Sequence, residues 1–311
     1  MRRRIIIIVS ILIVIICASL AINKRYNDAL DKAAENGKFE ISNINIYRGT
    51  PAWELAVAVK DENTNKIEKI AKNKPELLNY QDPKYGATLL LWSVGSEKYK
   101  SAEALLKCGA DLNIETKVAG ETPLFRAEGL SWVDTQWKRD PKYVKLLLSY
   151  HAYPNKNYVG RNDDDIKSDS SPLMNSISCG IEKTKALVEA GADINYKTKK
   201  GKTAATYALR SGEGNVTEES LTYAYYLIAE KKAKVNESYY NTDPNKRFYP
   251  VNSLRDWIPE LGSEGYKMKM AIVKEFANQG VNYWDTKTSD DTLEHIKEIH
   301  PNDWEEYIKK Y

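Results

Sequence analysis

Apolar and polar positions divide this chain into two regimes. Residues 5–22 form an uncharged apolar run, preceded by Arg2, Arg3 and Arg4 and followed by Lys24 and Arg25. As a helix this run would reach about 27 Å, slightly short of a hydrocarbon core of about 30 Å. Basic residues at its start favour leaving that end in the cytoplasm. Residues 1–25 therefore predict an N-terminal signal anchor or, with Ser19-Leu20-Ala21 as a small-x-small cleavage site, a signal peptide. Beyond it the pattern changes: apolar residues recur at helical spacing in short stretches, at 101–106, 143–148, 184–188 and 224–228, each predicting an amphipathic helix.

The punctuation between these stretches repeats. Cys-Gly-Ala-Asp-Leu-Asn at 108–113 and Ala-Gly-Ala-Asp-Ile-Asn at 190–195 each follow an apolar helical stretch, with weaker versions at 151–155, 232–236 and 279–282. The closing residue recurs as Asn79, Asn113, Asn155, Asn195, Asn236 and Asn282. Its steps run from about 34 to about 46 residues, the length of a helix-pair repeat with loop insertions. The openings repeat too. Gly49-Thr50-Pro51-Ala52-Trp53 and Gly120-Glu121-Thr122-Pro123-Leu124-Phe125-Arg126-Ala127 have shorter relatives at 86–89, 170–173 and 201–204. In these openings a Thr or Ser hydroxyl is placed to accept a bond from a free helix N–H, and Pro suits a first helical position that needs no donor. Gly109 and Gly191 fit the left-handed position that ends a helix.

Together these motifs resemble the ankyrin-repeat family, whose pattern is Gly-x-Thr-Pro-Leu-His-x-Ala, a second helix ending in Leu-Leu, then Gly-Ala-Asp-x-Asn. The resemblance covers residues 49–285 and implies an all-α ankyrin-repeat solenoid of about five to six divergent helix pairs, closed by helical caps. It departs at the family's His, replaced here by Phe125 and Met174, which implies repeats joined by apolar and aromatic contacts. Residues 26–48 read as tether and N-terminal cap, with a short helix near 28–35 and a strand or irregular segment at 41–46. Residues 286–311 read as a C-terminal cap of one or two amphipathic helices carrying Leu293, Ile296, Ile299, Trp304, Tyr307 and Ile308.

Charge narrows the partners. With 46 basic against 43 acidic residues the chain carries only +3, so nucleic acid is not an expected partner. Candidate chemistry is sparse: the 3 histidines, His151, His295 and His300, fall short of the convergent ligands zinc requires. No nucleophile elbow, phosphate loop or dinucleotide fingerprint occurs, so no enzyme activity, cofactor or metal is expected. Cys108 and Cys179 occupy non-equivalent places in the repeats, which argues against a bridge. Asp163, Asp164, Asp165 and Asp169 lack the alternation of a calcium loop and read as a solvated loop with a secondary role in electrostatic recognition. Trp132 and Trp137, with Leu130 and Val133, read either as a satellite core or as an apolar contact patch. The stretch at 239–249 reads either as a partly packed loop or as an aromatic, charged binding surface.

Ankyrin proteins bind through the tips of the turns between repeats and the exposed side of the first helices. By resemblance the contact residues here are Lys84, Tyr85, Lys117, Tyr158, Arg161, Lys197, Lys199 and Lys200, to which the two tryptophans are added. The expected function is protein binding, by a single-pass protein of a bacterial inner membrane with its repeats periplasmic or extracellular, or by a periplasmic protein after signal cleavage. Exported ankyrin proteins resemble immunity proteins that neutralise an antibacterial effector enzyme such as a phospholipase. The alternative is an envelope scaffold or stress-protective ankyrin protein.

Overall fold

A computed structural model describes residues 2–129, 131–133, 139–159, 169–210, 218–241 and 243–311. They form two compact units, residues 1–118 and 119–311. Both are helical, and among the described residues the only strands are the two-residue pair β1 (Tyr239–Tyr240) and β2 (Arg247–Phe248).

In the first unit, α1 (Arg2–Glu35) leads to a 3-10 turn at Ile44–Tyr47 and two helix pairs, α2 (Trp53–Lys60) with α3 (Thr64–Asn73) and α4 (Leu89–Gly95) with α5 (Tyr99–Lys107). α3 buries Ile67, Ile70 and Ala71, the i, i+3, i+4 stripe of an amphipathic helix, and α5 buries Ala102, Leu105 and Leu106. α4 is buried on every side, because α2 and α5 both pack on it. First helix packs on first helix (α2 on α4) and second on second (α3 on α5), so neither pair buries its faces alone. Each fully buried leucine in such a layer contributes about 1.5–3 kcal/mol.

The second unit contains α6 (Pro123–Glu128), α7 (Lys142–Ser149), α8 (Pro172–Asn175), α9 (Ile181–Glu189), α10 (Ala204–Arg210) and α11 (Glu218–Ala224), which continues as a π-helical turn through Tyr225–Glu230. After the β1–β2 hairpin come α12 (Pro250–Arg255), α13 (Glu264–Asn278), α14 (Asp290–Ile299) and α15 (Trp304–Lys310). The same alternation holds: α6, α8, α10 and α12 pack in succession, as do α7, α9, α11 and α13. Ala204, Ala205 and Ala208 on α10 are small enough to admit neighbours on both sides. The last two helices share a core of Ile296, Tyr307 and Tyr311.

Two local expectations need revision, and at 41–46 the irregular alternative holds. The apolar run does not stand apart as its own helix. α1 continues without a break into Lys24, Arg25, Asp28, Asp31, Lys32 and Glu35, charges that are costly in hydrocarbon. Among the described residues no helix is long and apolar enough to cross a membrane. The single-pass inner-membrane placement, with its signal anchor and membrane contact, is corrected accordingly. The segment at 41–46 is a turn and a 3-10 helix, not a strand, and Asn43 caps it by accepting from the Asn45 N–H at 3.0 Å. Finally, Thr50 does not cap α2, which begins at Trp53; its hydroxyl instead donates back to the Tyr47 carbonyl at 2.6 Å. The other openings behave as expected, with Thr88, Thr122 and Ser171 accepting from the N–H of Leu91, Phe125 and Met174, and Thr203 from Thr206.

Candidate functional site

Three of the recurring asparagines, Asn79, Asn155 and Asn195, clamp successive turns. Asn79 Oδ1 accepts the Asp111 N–H at 2.8 Å, Asn155 Oδ1 accepts Asp193 N–H at 2.7 Å, and Asn195 Oδ1 accepts Lys234 N–H at 2.8 Å. Asn155 also donates to the Gly191 carbonyl at 3.1 Å. Within each turn the aspartate of the motif accepts from the asparagine's own N–H, Asp111 from Asn113 and Asp193 from Asn195. At Asn195 this Asx turn aims the amide at Lys234 of the next tip. At the far end Gln279 does the same work from the other direction, accepting from Val235 N–H and donating to Ala233. Periodicity exposed these asparagines, but only the tertiary pairing reveals that Asn79, Asn155 and Asn195 hold the following turn.

The predicted contact residues fare unequally on this frame. Lys84 and Tyr85 are engaged within the first unit. Lys84 Nζ donates to the carbonyls of Gly37 and Phe39 at 2.8 and 3.0 Å, and Tyr85 OH reaches Phe39 O and Glu40. With Tyr47 OH on the Ala87 carbonyl and Trp92 Nε1 on the Ser42 carbonyl, they fasten residues 37–47 over the turn. Lys117 is exposed, and its backbone and stem pass so close to Gly86 that a Cβ there would lie 2.8 Å from the Lys117 nitrogen. Tyr158 is not a tip residue: it is 4% exposed and stacks on Phe125 with ring centroids 5.1 Å apart. Phe125 thus recruits a second ring to fill the layer. Trp132 is half-buried with the Arg126 guanidinium 5.0 Å above its ring, and Arg126 in turn pairs with Glu121. Trp137 and Arg161 lie outside the described residues, as do Asp163, Asp164 and Asp165.

Lys197, Lys199 and Lys200 share one ordered tip. Lys197 pairs with Glu237, which holds the Glu237 carboxyl below its usual range through a hydrogen bond and charge. Asp169 accepts from Tyr196 OH at 2.5 Å and from the Lys199 N–H at 2.7 Å. Tyr240 of β1 donates its hydroxyl to Lys199 O and its N–H to Lys200 O. The backbone is thus pinned from two sides while the side chains of Lys199 and Lys200 remain exposed. The adjoining hairpin adds Arg247 over the Tyr240 ring at 5.3 Å and an exposed Tyr249. Asp169 therefore serves the tip by hydrogen bonding, a role its place in an acidic run did not reveal.

Two buried charges also escaped the sequence reading, since nothing in their local sequence marks them. Glu128 is fully buried and neither carboxylate oxygen has a hydrogen-bond partner among the described residues. Burial drives its pKa well up, against the pull of Lys183 and the nearby Asn175 amide, so it favours the neutral acid. Lys183 Nζ donates to the Gly129 carbonyl at 2.8 Å. Lys269 is likewise fully buried, donating to Trp257 O at 2.6 Å beneath the ring of Tyr311, 3.5 Å from its centroid. Burial and the Arg255 charge hold its pKa well below the ordinary lysine value. Burial pushes the Cys179 thiol up, which disfavours the nucleophilic thiolate. Among the described residues no three His, Cys, Asp or Glu side chains converge as a metal site. His295 and His300 instead lie beside Glu298 and Asp303 at 3.5 and 3.3 Å.

No family model matches the chain. It is 28% identical over 158 residues to ankyrin repeat and SOCS box protein 6 of Homo sapiens, a match covering 51% of this chain and 34% of that protein. The Pongo abelii protein of the same name gives the same figures. The match thus spans about a third of the length of these curated relatives. At this distance it supports an ankyrin-type reading of the helix pairs, and ankyrin repeats are in general protein-interaction modules.

Proposed function

We propose that the chain is a protein-binding module whose helix pairs stack as an ankyrin-type solenoid, and that its contact surface includes the tip bearing Lys199 and Lys200, with Lys117, Lys197 and Trp132 as further contacts. The observation that carries this reading is the two-sided pinning of the Lys199–Lys200 backbone by Asp169 and Tyr240. A tip held rigid before binding avoids the ordering cost that a mobile loop pays on association. We propose further that the partner is an effector enzyme, which the chain neutralises by covering its surface. That part rests on the ankyrin-type pattern alone.

The test begins with a C-terminally tagged chain in a bacterial host, crosslinked and purified with whatever it holds. The captured protein is then purified separately and titrated against wild type and K199E/K200E. The expected result is one stoichiometric partner whose activity is blocked at equal molar ratio by wild type, with binding weakened by about tenfold or more in the double variant. Many substoichiometric partners, or a partner bound equally by both proteins, would refute this surface.

A further inference from the structure

The tips are not the only surface shaped for a ligand. In the first unit α2 and α3 border a groove of about 420 Å³, with Pro51, Ile70 and Leu77 as its apolar lining and Lys66, Lys69 and Lys74 around it. Lys66 is committed to Glu54 at 3.2 Å. Among the described residues Lys69 and Lys74 make no ion pair, and both are exposed. Its floor is apolar, formed by the edges of the largely buried Ile70 and Leu77 beside the exposed Pro51, while its rim is polar with Asn63, Asn65 and Asn73 and carries the charge of Lys69 and Lys74 without a neutralising partner among the described residues. Its volume lies within the roughly 300–1,000 Å³ of concave sites, room for one or two side chains of an extended segment.

We propose that this groove docks an acidic segment of a partner protein, with an apolar side chain against Ile70 and Leu77 and a flanking carboxylate between Lys69 and Lys74. Charge complementarity selects the acidic partner, and the apolar lining selects a peptide over a nucleic acid. Duplex DNA binding typically draws on about 6–10 phosphate contacts, whereas this groove offers two uncommitted lysines and no aromatic ring among its lining residues for a base to stack on. The inference does not depend on the tip reading, because it concerns a separate helix face and different residues.

The probe is a short fluorescein-labelled peptide in which leucines alternate with glutamates, beside a counterpart carrying glutamines, each titrated into the full chain by fluorescence anisotropy. The glutamate peptide should bind, with the glutamine peptide and the K69E/K74E chain each weaker by about tenfold or more. K69Q/K74Q should fall between, and K199E/K200E should match wild type, which keeps failure here distinct from failure of the tip. Circular dichroism melts verify that every variant folds. The proposal is overturned if the two peptides bind alike, if neither binds, or if K69E/K74E retains wild-type affinity. It is equally overturned if a DNA oligonucleotide or a phosphatidylglycerol vesicle binds more tightly than the peptide and depends on Lys69 and Lys74, which would assign the groove to phosphate.

Discussion

Replacing Asn155 by alanine tests whether the recurring asparagine holds successive turns together. Its side chain makes two bonds across the turn, accepting from Asp193 N–H at 2.7 Å and donating to Gly191 O at 3.1 Å. Each is worth about 1 ± 0.5 kcal/mol net, less where water can replace the lost partner. Asn155 is half-buried, so the pair together should contribute about 1–2 kcal/mol. In a unit of this size each kcal/mol shifts the melting midpoint by about 2–4 °C, giving an expected fall of about 2–8 °C. Asn195 makes one bond of this kind, to Lys234 N–H, so N195A should lose about half as much. Thermal melts by circular dichroism should be read beside hydrogen exchange at the Asp193 amide, whose protection should drop by about 5- to 30-fold in N155A. The exposed Asn245 provides the control substitution. If N155A melts with N245A and the Asp193 amide keeps its protection, the clamp contributes nothing and the repeat is held by apolar layers alone.

Other consequences follow from burial. Tyr158→Ala empties a ring site against Phe125 and should destabilise by about 3–5 kcal/mol, measured by urea unfolding, whereas K199E/K200E should barely alter stability. Glu128 keeps its proton at pH values where the unfolded chain has lost it, so its own contribution to stability is full below the ordinary carboxyl range and is lost as pH rises through its raised folded pKa. Urea titrations from acid to neutral pH should show E128Q lacking that decline, and an unchanged slope would contradict the burial argument. Lys269 acts with the opposite sign: between its depressed folded pKa and the ordinary lysine value the unfolded state binds more protons, so stability should climb with pH in that window. K269M should flatten the climb. Gly86→Ala should lower the melting midpoint, because the positive φ of 71° and the Lys117 backbone leave no place for a Cβ.

Most of the helix pairing was legible because it is written locally. Thr88, Thr122 and Ser171 cap helices where they stand, and Gly109 and Gly191 take left-handed φ values of 89° each. Thr50 shows the limit: the same opening letters occur there, but a preceding 3-10 turn competes for the hydroxyl and wins. Tyr158 shows another, since an aromatic residue in a loop carries no local mark of being buried. Its partner Phe125 is distant in sequence, and only stacking brings the rings together.

What the sequence determined by itself is the repeat: caps, helix stops, the apolar spacing and the returning asparagine all act within a few residues, so their physics can be read in order along the chain. Tertiary structure alone decided which tip side chains find partners within the chain. Lys84 donates to the carbonyls of residues 37 and 39 and Lys197 pairs with Glu237, while Lys199 and Lys200 stay exposed on a pinned backbone. It also decided that Glu128 and Lys269 are buried away from water, where a charge is costly and the group's protonation shifts toward the neutral form. Such outcomes depend on partners many residues away, and a lysine or glutamate carries the same letter whether it meets water, a carboxylate or an aromatic ring.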